Sequence, residues 1–257
     1  GRSGATCTTG ANGNFTWVNA QAQCNGLNSA NAGAGYAGRT DWRLPEIDAL
    51  KSIVDYSGIS PTIDATYFPT PTTLYWSSNS SLASSADAMV IWFSGGGYSA
   101  TRAKTSTAPT RCVAGGTPAA PSFTDLGDGT IKDNNTNLIW QKCSRGQTYS
   151  GGSCTGAISG SVWVDGLAYC NSLTLGGHSW HLPSVNELGS IMDYSRIGRA
   201  INTTYFPFTL GGNDYWVSTS RPFSVTVTYG GYYDIRDGSW DYKGKNNTFT
   251  YTRCVAQ

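Results

Sequence analysis

The sequence predicts an α+β fold made of two tandem copies of one small domain, each with two helices, a small antiparallel sheet and disulfide bonds. Three observations support this prediction. The sequence contains a long internal repeat, most of its cysteines fall at matching positions of the two copies, and each copy shows helical periodicity first and short strand-like segments later.

The repeat is clearest in WRLPEIDALKSIVDYSGISPTIDATYFP (42–69) and WHLPSVNELGSIMDYSRIGRAINTTYFP (180–207), where 15 of 28 aligned positions are identical. Two further pairs of segments match downstream: LYWSS (74–78) with DYWVS (214–218), and TRCVA at 110–114 with TRCVA at 252–256. Chance does not produce such an ordered series, so the chain is a tandem duplication.

The repeat also predicts the domain boundaries. We assign residues 1–114 to the first domain and residues 123–257 to the second. Residues 115–122 read GGTPAAPS, a composition that is typical of a linker.

Composition indicates an exported protein and argues against two classes of partner. Charged residues make up 13% of the 257 residues, whereas intracellular enzymes carry about a quarter. The net charge of +1 offers no basic field that would attract nucleic acid. No apolar run approaches the roughly 20 residues of a membrane span, so we expect no membrane insertion. The first residues lack the features of a signal peptide, and we expect any leader to have been removed or to lie outside this chain.

The cysteines favour disulfides over metal binding. They stand at positions 7, 24, 112, 143, 154, 170 and 254, without a CxxC pair and with only two histidines in the chain. Equivalent early and late positions pair Cys24 with Cys112 and Cys170 with Cys254, and Cys143 pairs with Cys154 across a short Gly/Ser loop. An oxidising compartment, and hence an extracellular or cell-surface location, follows.

Cys7 is left over, and two interpretations remain open. Cys7 aligns with Cys154, so its partner is expected upstream of Gly1, on a segment matching FTDLGDGTIKDNNTNLIWQKC (123–143). The first copy would then be an N-terminally incomplete piece, with an upstream peptide bonded to Cys7. The alternative is a free Cys7 or an intermolecular disulfide.

Each copy predicts two helices and several short strands. The first helix begins near Trp17 or Trp163, and the second follows the W-x-L-P motif, where Ser184 and Glu187 resemble a capping box. Two apolar stripes mark the inner face of the second helix: Leu50, Ile53 and Val54, and Leu188, Ile191 and Met192. Short strands with long loops follow, among them 88–93 and the RCV segment, and GDGT (127–130) predicts a hairpin turn.

The ordered series G-D-G-T, L-I-W-Q-K-C, W…C, W-x-L-P, D-Y-S, Y-F-P, Y-W and R-C-V resembles the domain of unknown function 1566, a family that includes the C-terminal domain of the Legionella collagen-like adhesin. The resemblance covers 123–256 fully and the first copy from its first cysteine onward. It implies an exported bacterial protein, and the adhesin's domain implies trimers and binding of sulfated glycosaminoglycans. The chain departs from that example because it lacks strong positive charge.

The topology is also similar to the C-type lectin-like fold, in which a first-helix cysteine bonds to a final-strand cysteine. The resemblance does not extend to calcium-dependent sugar binding, because the sequence has no EPN, QPD or WND triplet. Formylglycine-generating enzymes have a related fold, but their reactive cysteines have no counterpart here.

Three groups of residues are candidates for chemical sites. For Asp125, Asp128 and Asp133 we expect a turn-and-cap role rather than calcium binding. His178 and His181 are expected to be packing or exposed residues rather than metal ligands. The sequence has no nucleophile elbow, and the first copy has no histidine. Among the carboxylates of the first copy that could act as a pair, only Asp55 is also a carboxylate in the second copy, at Asp193. We therefore predict no enzyme, no cofactor and no metal.

The segment between YW and RCV differs most between the copies and is the predicted binding face. Its aromatic and basic residues interleave with polar ones, a composition suited to stacking on sugars or contacting a protein partner. The candidate residues are Trp92, Tyr98, Arg102, Tyr229, Tyr232, Tyr233, Arg236, Trp240, Tyr242 and Lys243. The leading hypothesis is a non-catalytic adhesin that recognises a glycan or a surface protein, and the alternative is a structural subunit of a surface assembly or filament, with homo-oligomer or filament neighbours.

Overall fold

A computed structural model describes residues 13–58, 60–69, 73–196, 198–207, 214–221 and 228–257. The chain divides into two units, Gly1–Pro118 and Ala119–Gln257, hereafter units 1 and 2. Cys7, and with it the predicted upstream partner, lies outside the described residues.

Unit 1 contains two α-helices and seven short strands among its described residues. The helices are α1 (Trp17–Gly26) and α2 (Ile47–Lys51), with 3₁₀ turns at Leu27–Ser29 and Asn31–Gly33. The strands are β1 (Asn14–Phe15), β2 (Trp42–Arg43), β3 (Leu74–Ser80), β4 (Asp87–Trp92), β5 (Tyr98–Ala103), β6 (Ala108–Pro109) and β7 (Val113–Ala114). They form the antiparallel sheet β3-β4-β5 and the two-stranded pairs β1-β6 and β2-β7.

Unit 2 repeats this order and adds strands before it. Its helices are α3 (Trp163–Ser172) and α4 (Val185–Ser190), with a 3₁₀ turn at Leu175–Gly177. Its strands are β8 (Phe123–Asp125), β9 (Thr130–Asp133), β10 (Ile139–Gln141), β11 (Thr148–Ser150), β12 (Ser153–Thr155), β13 (Trp180–His181), β14 (Asp214–Arg221), β15 (Tyr229–Asp234), β16 (Ser239–Gly244) and β17 (Val255–Ala256). They form the sheets β14-β15-β16 and β13-β17-β10-β9-β8 and the pair β11-β12.

Both units combine a few helices with small antiparallel sheets, so the predicted α+β class is confirmed. Three disulfides join Cys24 to Cys112, Cys143 to Cys154 and Cys170 to Cys254, the same pairs that the repeat gives. In each unit one of them ties the first helix to the segment that closes the domain.

The tryptophan that begins each first helix fixes the helix against the three-stranded sheet. In unit 1, Nε1 of Trp17 donates to the carbonyl oxygen of Ser77 at 2.8 Å. In unit 2, Nε1 of Trp163 donates to the carbonyl oxygen of Val217 at 2.8 Å. A buried indole N–H needs an acceptor, and the bulged strand supplies one at the same place in both copies.

The second helix of unit 2 begins with the predicted capping box. The Ser184 hydroxyl accepts from the Glu187 amide at 3.2 Å, and the Glu187 carboxylate accepts from the Ser184 amide at 2.7 Å. Burial acts to raise the pKa of Glu187, but hydrogen bonds from Ser184 and His181 outweigh it and leave the pKa lowered. The ionised carboxylate therefore stabilises the start of α4.

The second helices are shorter than their apolar stripes predict. α2 ends at Lys51 and α4 at Ser190, so only the first residue of each stripe is helical. The later residues of the unit 2 stripe, Ile191 and Met192, are nonetheless 0% and 3% exposed. The stripe of unit 2 therefore identifies core residues correctly, although Ile191 and Met192 lie in the turn after the helix and not in the helix itself.

The GDGT hairpin is confirmed, because β8 and β9 pair across residues 126–129. The prediction of long loops between YW and RCV is wrong. Each unit has three strands of six to eight residues there, so the connections between β4 and β5 and between β15 and β16 are short turns. No helix in the described part of the chain combines the length and apolarity that crossing a bilayer requires.

Candidate functional site

The predicted binding face lies on the three-stranded sheets β3-β4-β5 and β14-β15-β16, here called the central sheets. The strand registers align the two central sheets row by row. One row is Leu74, Trp92 and Tyr98 in unit 1 and Asp214, Asp234 and Ser239 in unit 2. A second row, on the same face, is Trp76, Val90 and Ala100 in unit 1 and Trp216, Tyr232 and Asp241 in unit 2. The same face is thus mainly apolar in unit 1 and partly charged in unit 2.

In unit 1 an aromatic pair stands at the end of this face. Trp92 and Tyr98 face each other across β4 and β5, with ring centroids 6.2 Å apart and planes inclined by only 7°. Both rings are half-buried, so each keeps part of its surface in contact with solvent. Arg102 lies on the same face of β5 and is also half-buried. The structure brings these three predicted residues onto one face.

In unit 2 the same face of the sheet carries a charged cluster around Tyr232. Nζ of Lys243 lies 3.6 Å from the centroid of the Tyr232 ring and forms an ion pair with Asp214. The Lys243 and Asp214 side chains are 19% and 25% exposed, so the pair is partly shielded from water. An ammonium over the face of a ring gains from the quadrupole of the ring, which holds Lys243 in place.

Arg236 stands beside this cluster and is oriented by Asp234. The Asp234 carboxylate accepts from Nε of Arg236 at 3.0 Å and also from Nη2. The Arg236 side chain is 61% exposed and the Asp234 side chain only 11%, so the carboxylate fixes a guanidinium that solvent reaches. The bonds to Asp234 raise the pKa of Arg236, which stays charged.

Burial changes the titration of the groups in this cluster. Burial raises the pKa of the Asp214 carboxyl, and the bond to Lys243 acts in the opposite direction. Burial also raises the pKa of Asp241, next to Tyr232 on the neighbouring strand. The Tyr232 phenol has its pKa raised by burial and by Asp241, so it remains a neutral hydroxyl. The cluster therefore offers a ring, a hydroxyl, carboxylates and two cations as fixed contacts.

Two other candidates of unit 2 lie on the opposite face. Tyr229 and Tyr242 are half-buried and alternate with the residues of the cluster along β15 and β16. Arg221 stacks on the Tyr242 ring with 5.5 Å between the guanidinium carbon and the centroid. These two tyrosines are therefore separated from Tyr232 and Lys243 by the thickness of the sheet.

Two predicted binding residues, Tyr233 and Trp240, belong to the core. They are 0% and 1% exposed, and they are cross-strand partners on the face of the central sheet opposite Tyr232. The Tyr233 hydroxyl donates to the carbonyl oxygen of Val185 at 3.2 Å, toward α4. A side chain that solvent does not reach cannot contact a ligand, so the assignment of these two residues to the binding face is corrected.

The aspartates considered for calcium act in turns, as expected. Asp125, Asp128 and Asp133 each accept from the backbone amide two residues later, at 3.0, 3.0 and 2.9 Å. Within the described ranges no group of three or more His, Cys, Asp or Glu side chains is arranged to hold a metal ion. His181 lies 3.0 Å from a Glu187 oxygen beside the capping box.

The recurring carboxylate of the two copies also has a local partner. Asp55 and Asp193 each accept from the backbone amide of the serine two residues later, at 2.9 and 3.0 Å, and from its hydroxyl. Both carboxylates stabilise the turn after the second helix, which is the local role the sequence predicts.

Sequence reasoning missed the aspartates of the unit 2 cluster. Asp214, Asp234 and Asp241 occupy the positions of Leu74, Trp92 and Ala100 in unit 1. That change from apolar to acidic is visible in the sequence, but finding it requires the strand register, which two dissimilar segments do not provide.

Fold and site together define a class: a disulfide-bonded α+β protein that repeats one small domain, with a charged cluster on one central sheet and an aromatic pair on the other. The chain belongs to the family described as Lcl C-terminal domain, whose model matches residues 4–114 and 129–256. No curated protein matches the chain.

Proposed function

We propose that this chain is an exported, non-catalytic recognition protein that binds a glycan through the partly exposed side chains of its central sheets. The observation that carries the proposal is the sheet face that the two units share. It presents the Trp92–Tyr98 pair in unit 1 and the Tyr232–Lys243–Asp214 cluster in unit 2. Partly exposed rings beside fixed polar groups suit sugars, which offer apolar ring faces and hydroxyls together.

Family membership and disulfides support a surface location. The Lcl C-terminal domain family and the resemblance to a collagen-like adhesin favour an adhesin-like protein outside the cell. Three buried or half-buried disulfides persist only where the environment is oxidising.

We further propose that each unit has a C-type-lectin-like arrangement. The bonds Cys24–Cys112 and Cys170–Cys254 join the first helix to the closing segment, as in that fold. The proposal includes no calcium, because the aspartates of unit 2 that the sequence suggested are used in turns.

The charge of the site favours glycans that are not highly sulfated. The unit 2 cluster sets three aspartates against Lys243 and Arg236, and the whole chain carries a net charge of +1. A sulfated polymer binds by releasing counterions from a basic surface, and this face has none.

The test is a glycan array probed with the intact chain, followed by titration of any selected glycan. We expect Tyr98→Ala to remove binding by unit 1 and Arg236→Ala to weaken binding by unit 2 about tenfold or more, because each removes a solvent-reached contact. Phe249→Ala is the matched control, since Phe249 is 82% exposed and stands outside the central sheets. Equal affinity of all three variants, or no selective glycan, would refute the proposal.

A structural role in a surface assembly is the second candidate. It is favoured by aromatic rings that face solvent on both units, with Tyr67 79% and Phe249 82% exposed. Analytical ultracentrifugation of the intact chain separates the two functions. Concentration-dependent assembly that Phe249→Ser reduces would support the structural role, and a monomer at all concentrations would contradict it.

A further inference from the structure

The connection between the first helix and the strand that follows it is longer in unit 1 than in unit 2. Trp42 comes 18 positions after Cys24, whereas its counterpart Trp180 comes only 10 positions after Cys170. Unit 1 therefore has eight additional residues between α1 and β2. We call residues 28–42 the inserted loop. Most of its side chains are exposed, so the insertion adds to the surface of unit 1 and not to its core.

Hydrogen bonds tie the inserted loop to the framework of unit 1. At its base, Nδ2 of Asn28 donates to the carbonyl oxygen of Trp42 at 3.0 Å, and Oδ1 of Asn28 accepts from the Trp42 amide at 2.6 Å. Further along, the Tyr36 amide donates to the carbonyl oxygen of Leu27 at 2.9 Å. These bonds join the loop to the end of α1 and to β2, so they fix the backbone that carries Tyr36.

A tight turn forms the tip of the inserted loop. The Arg39 amide donates to the carbonyl oxygen of Tyr36 at 3.1 Å, and the two residues form an antiparallel bridge. Ala37 and Gly38 between them have φ of 53° and 71°, in the left-handed region that a residue with a Cβ seldom adopts. Gly35 is required before the turn, because a Cβ there would lie 1.8 Å from the Arg39 carbonyl oxygen. The turn therefore sets the side chains of Tyr36 and Arg39 beside each other.

Two aromatic side chains give the inserted loop an apolar surface that reaches solvent. The Tyr36 ring is 54% exposed and meets the Trp42 ring edge-on, with centroids 5.5 Å apart. Nε1 of Trp42 donates to the carbonyl oxygen of Tyr36 at 2.8 Å, which orients the half-buried indole. The counterpart of Trp42 in unit 2, Trp180, is only 5% exposed. The aromatic surface of this loop is thus a property of unit 1.

An ion pair stands next to the aromatic surface. Asp41 accepts from Nε of Arg39 at 3.0 Å and from Nη2 at 2.8 Å, so the guanidinium and the carboxylate lie in a two-pronged arrangement. These bonds raise the pKa of Arg39 and lower the pKa of Asp41, and both groups stay charged. The side chains are 52% and 46% exposed, and so exposed a pair contributes little to stability. The pair instead fixes a donor and an acceptor where a ligand can reach both.

We infer that the inserted loop is a further binding site, which takes an uncharged pyranose sugar with its ring on Tyr36 and its hydroxyls on Arg39 and Asp41. An aromatic ring stacks on the apolar face of a sugar, and neighbouring hydroxyls donate to a carboxylate while they accept from a guanidinium. Bridge partners carry their side chains roughly 5 Å apart, a spacing that one sugar ring spans. Because the charges of the pair cancel, the site favours a sugar without a charged substituent.

This site rests on the proposed function for the class of its ligand, but it uses other residues. Tyr36, Arg39 and Asp41 lie between α1 and β2, whereas the central sheet of unit 1 begins at Leu74. A substitution in the inserted loop therefore leaves the residues of the central sheets unchanged, and the two sites can be tested separately.

The test follows the indole N–H signals of the intact chain by NMR, with ¹⁵N-labelled tryptophan and Trp42→Phe to assign the signal of Trp42. The probes are the methyl glycosides of glucose, galactose, mannose and N-acetylglucosamine, with that of glucuronic acid as the charged comparison. We expect at least one uncharged glycoside to shift the Trp42 signal at millimolar concentration and to leave the Trp180 signal in place. A Trp42 signal that none of the four moves, or that only the glucuronide moves, would overturn the inference.

Variants assign the response to the loop. Tyr36→Ala is expected to weaken binding about tenfold or more, and Asp41→Asn to weaken it as well, because each removes an exposed contact and no part of the core. Tyr67→Ala is the matched control, since Tyr67 is a tyrosine of the same unit that is 79% exposed and lies outside the loop. Unchanged affinity of Tyr36→Ala or of Asp41→Asn contradicts the inference.

A further variant separates this site from the central sheets. Tyr98→Ala is expected to leave the response of Trp42 intact. If Tyr98→Ala removes that response and Tyr36→Ala does not, the inserted loop is not a sugar site, and glycan binding by the central sheets still stands. If Tyr36→Ala removes all sugar binding by the chain, the inserted loop is confirmed and the proposal for the central sheets fails.

Discussion

Removing the disulfides of unit 2 one at a time tests whether the span of each cross-link sets its contribution to stability. Cys170 and Cys254 are 84 residues apart in sequence, and Cys143 and Cys154 are 11 apart. In the chain-entropy model these spans correspond to about 4.6 and about 2.8 kcal/mol of unfolding free energy. We therefore expect the variant C170A/C254A to lose about 1.8 kcal/mol more than C143A/C154A.

Burial is matched between the two pairs, which isolates the effect of span. The four sulfur-bearing residues are between 0% and 3% exposed, so both double variants lose a similar amount of packing. The measurement is urea unfolding in a Cys7→Ser background, which prevents thiol exchange. The transition of unit 1 is the internal control, because neither double variant changes it.

The refuting result is equal destabilisation by the two double variants, or a larger loss from the short-span pair. Either outcome would mean that native-state strain or residual structure in the unfolded chain, rather than loop closure, determines the stabilisation.

Three further changes test other parts of the structure. Glu187→Gln should reduce the loss of stability on acidification. The lowered pKa of Glu187 stabilises the folded state above about pH 4.5, and this stabilisation disappears as the pH falls through the pKa of the folded state. If the urea midpoint of the variant depends on pH as that of the parent chain does, the prediction is wrong. Gly230→Ala should destabilise unit 2 by about 1–3 kcal/mol, because a Cβ there would lie 2.7 Å from Cδ1 of Trp163. Gly116→Ala is the control: an added Cβ at Gly116 has no atom within 4 Å, so thermal unfolding should not change. Trp240→Ala should cost about 3–5 kcal/mol as a core truncation, and full stability of this variant would return Trp240 to the surface.

The repeat made much of the fold predictable from sequence. Position in the two copies identified the starts of the first helices at Trp17 and Trp163, and local chemistry identified the capping box at Ser184. These features depend on short spacings or on a comparison within the chain. Helix length was less predictable, because α4 ends at Ser190 while the turn that follows it still buries Met192 in the core.

The binding face was only partly predictable because burial of an aromatic residue depends on strand register. Tyr232 and Tyr233 are neighbours in sequence, yet Tyr232 is half-buried beside Lys243 and Asp214, whereas Tyr233 is fully buried. Period-two alternation separates them only once it is known which face is more deeply buried. Apolar and polar residues alternate poorly along YGGYYD (229–234), so the segment itself does not show this.

The two units preserve their framework and differ in their surface chemistry, so under the proposed function we expect them to recognise different features of a ligand. The indole hydrogen bonds of Trp17 and Trp163 are both 2.8 Å long. By contrast, the row containing Trp92 becomes acidic in unit 2 at Asp234. A stacked pair suits an apolar sugar face, whereas fixed carboxylates and cations suit hydroxyls or charged substituents. If both units bound the same feature of a ligand, the two copies would carry matching side chains in this row, but their side chains differ. Tandem sites that differ in chemistry are suited to binding two parts of one extended ligand, and their linkage then increases the overall avidity.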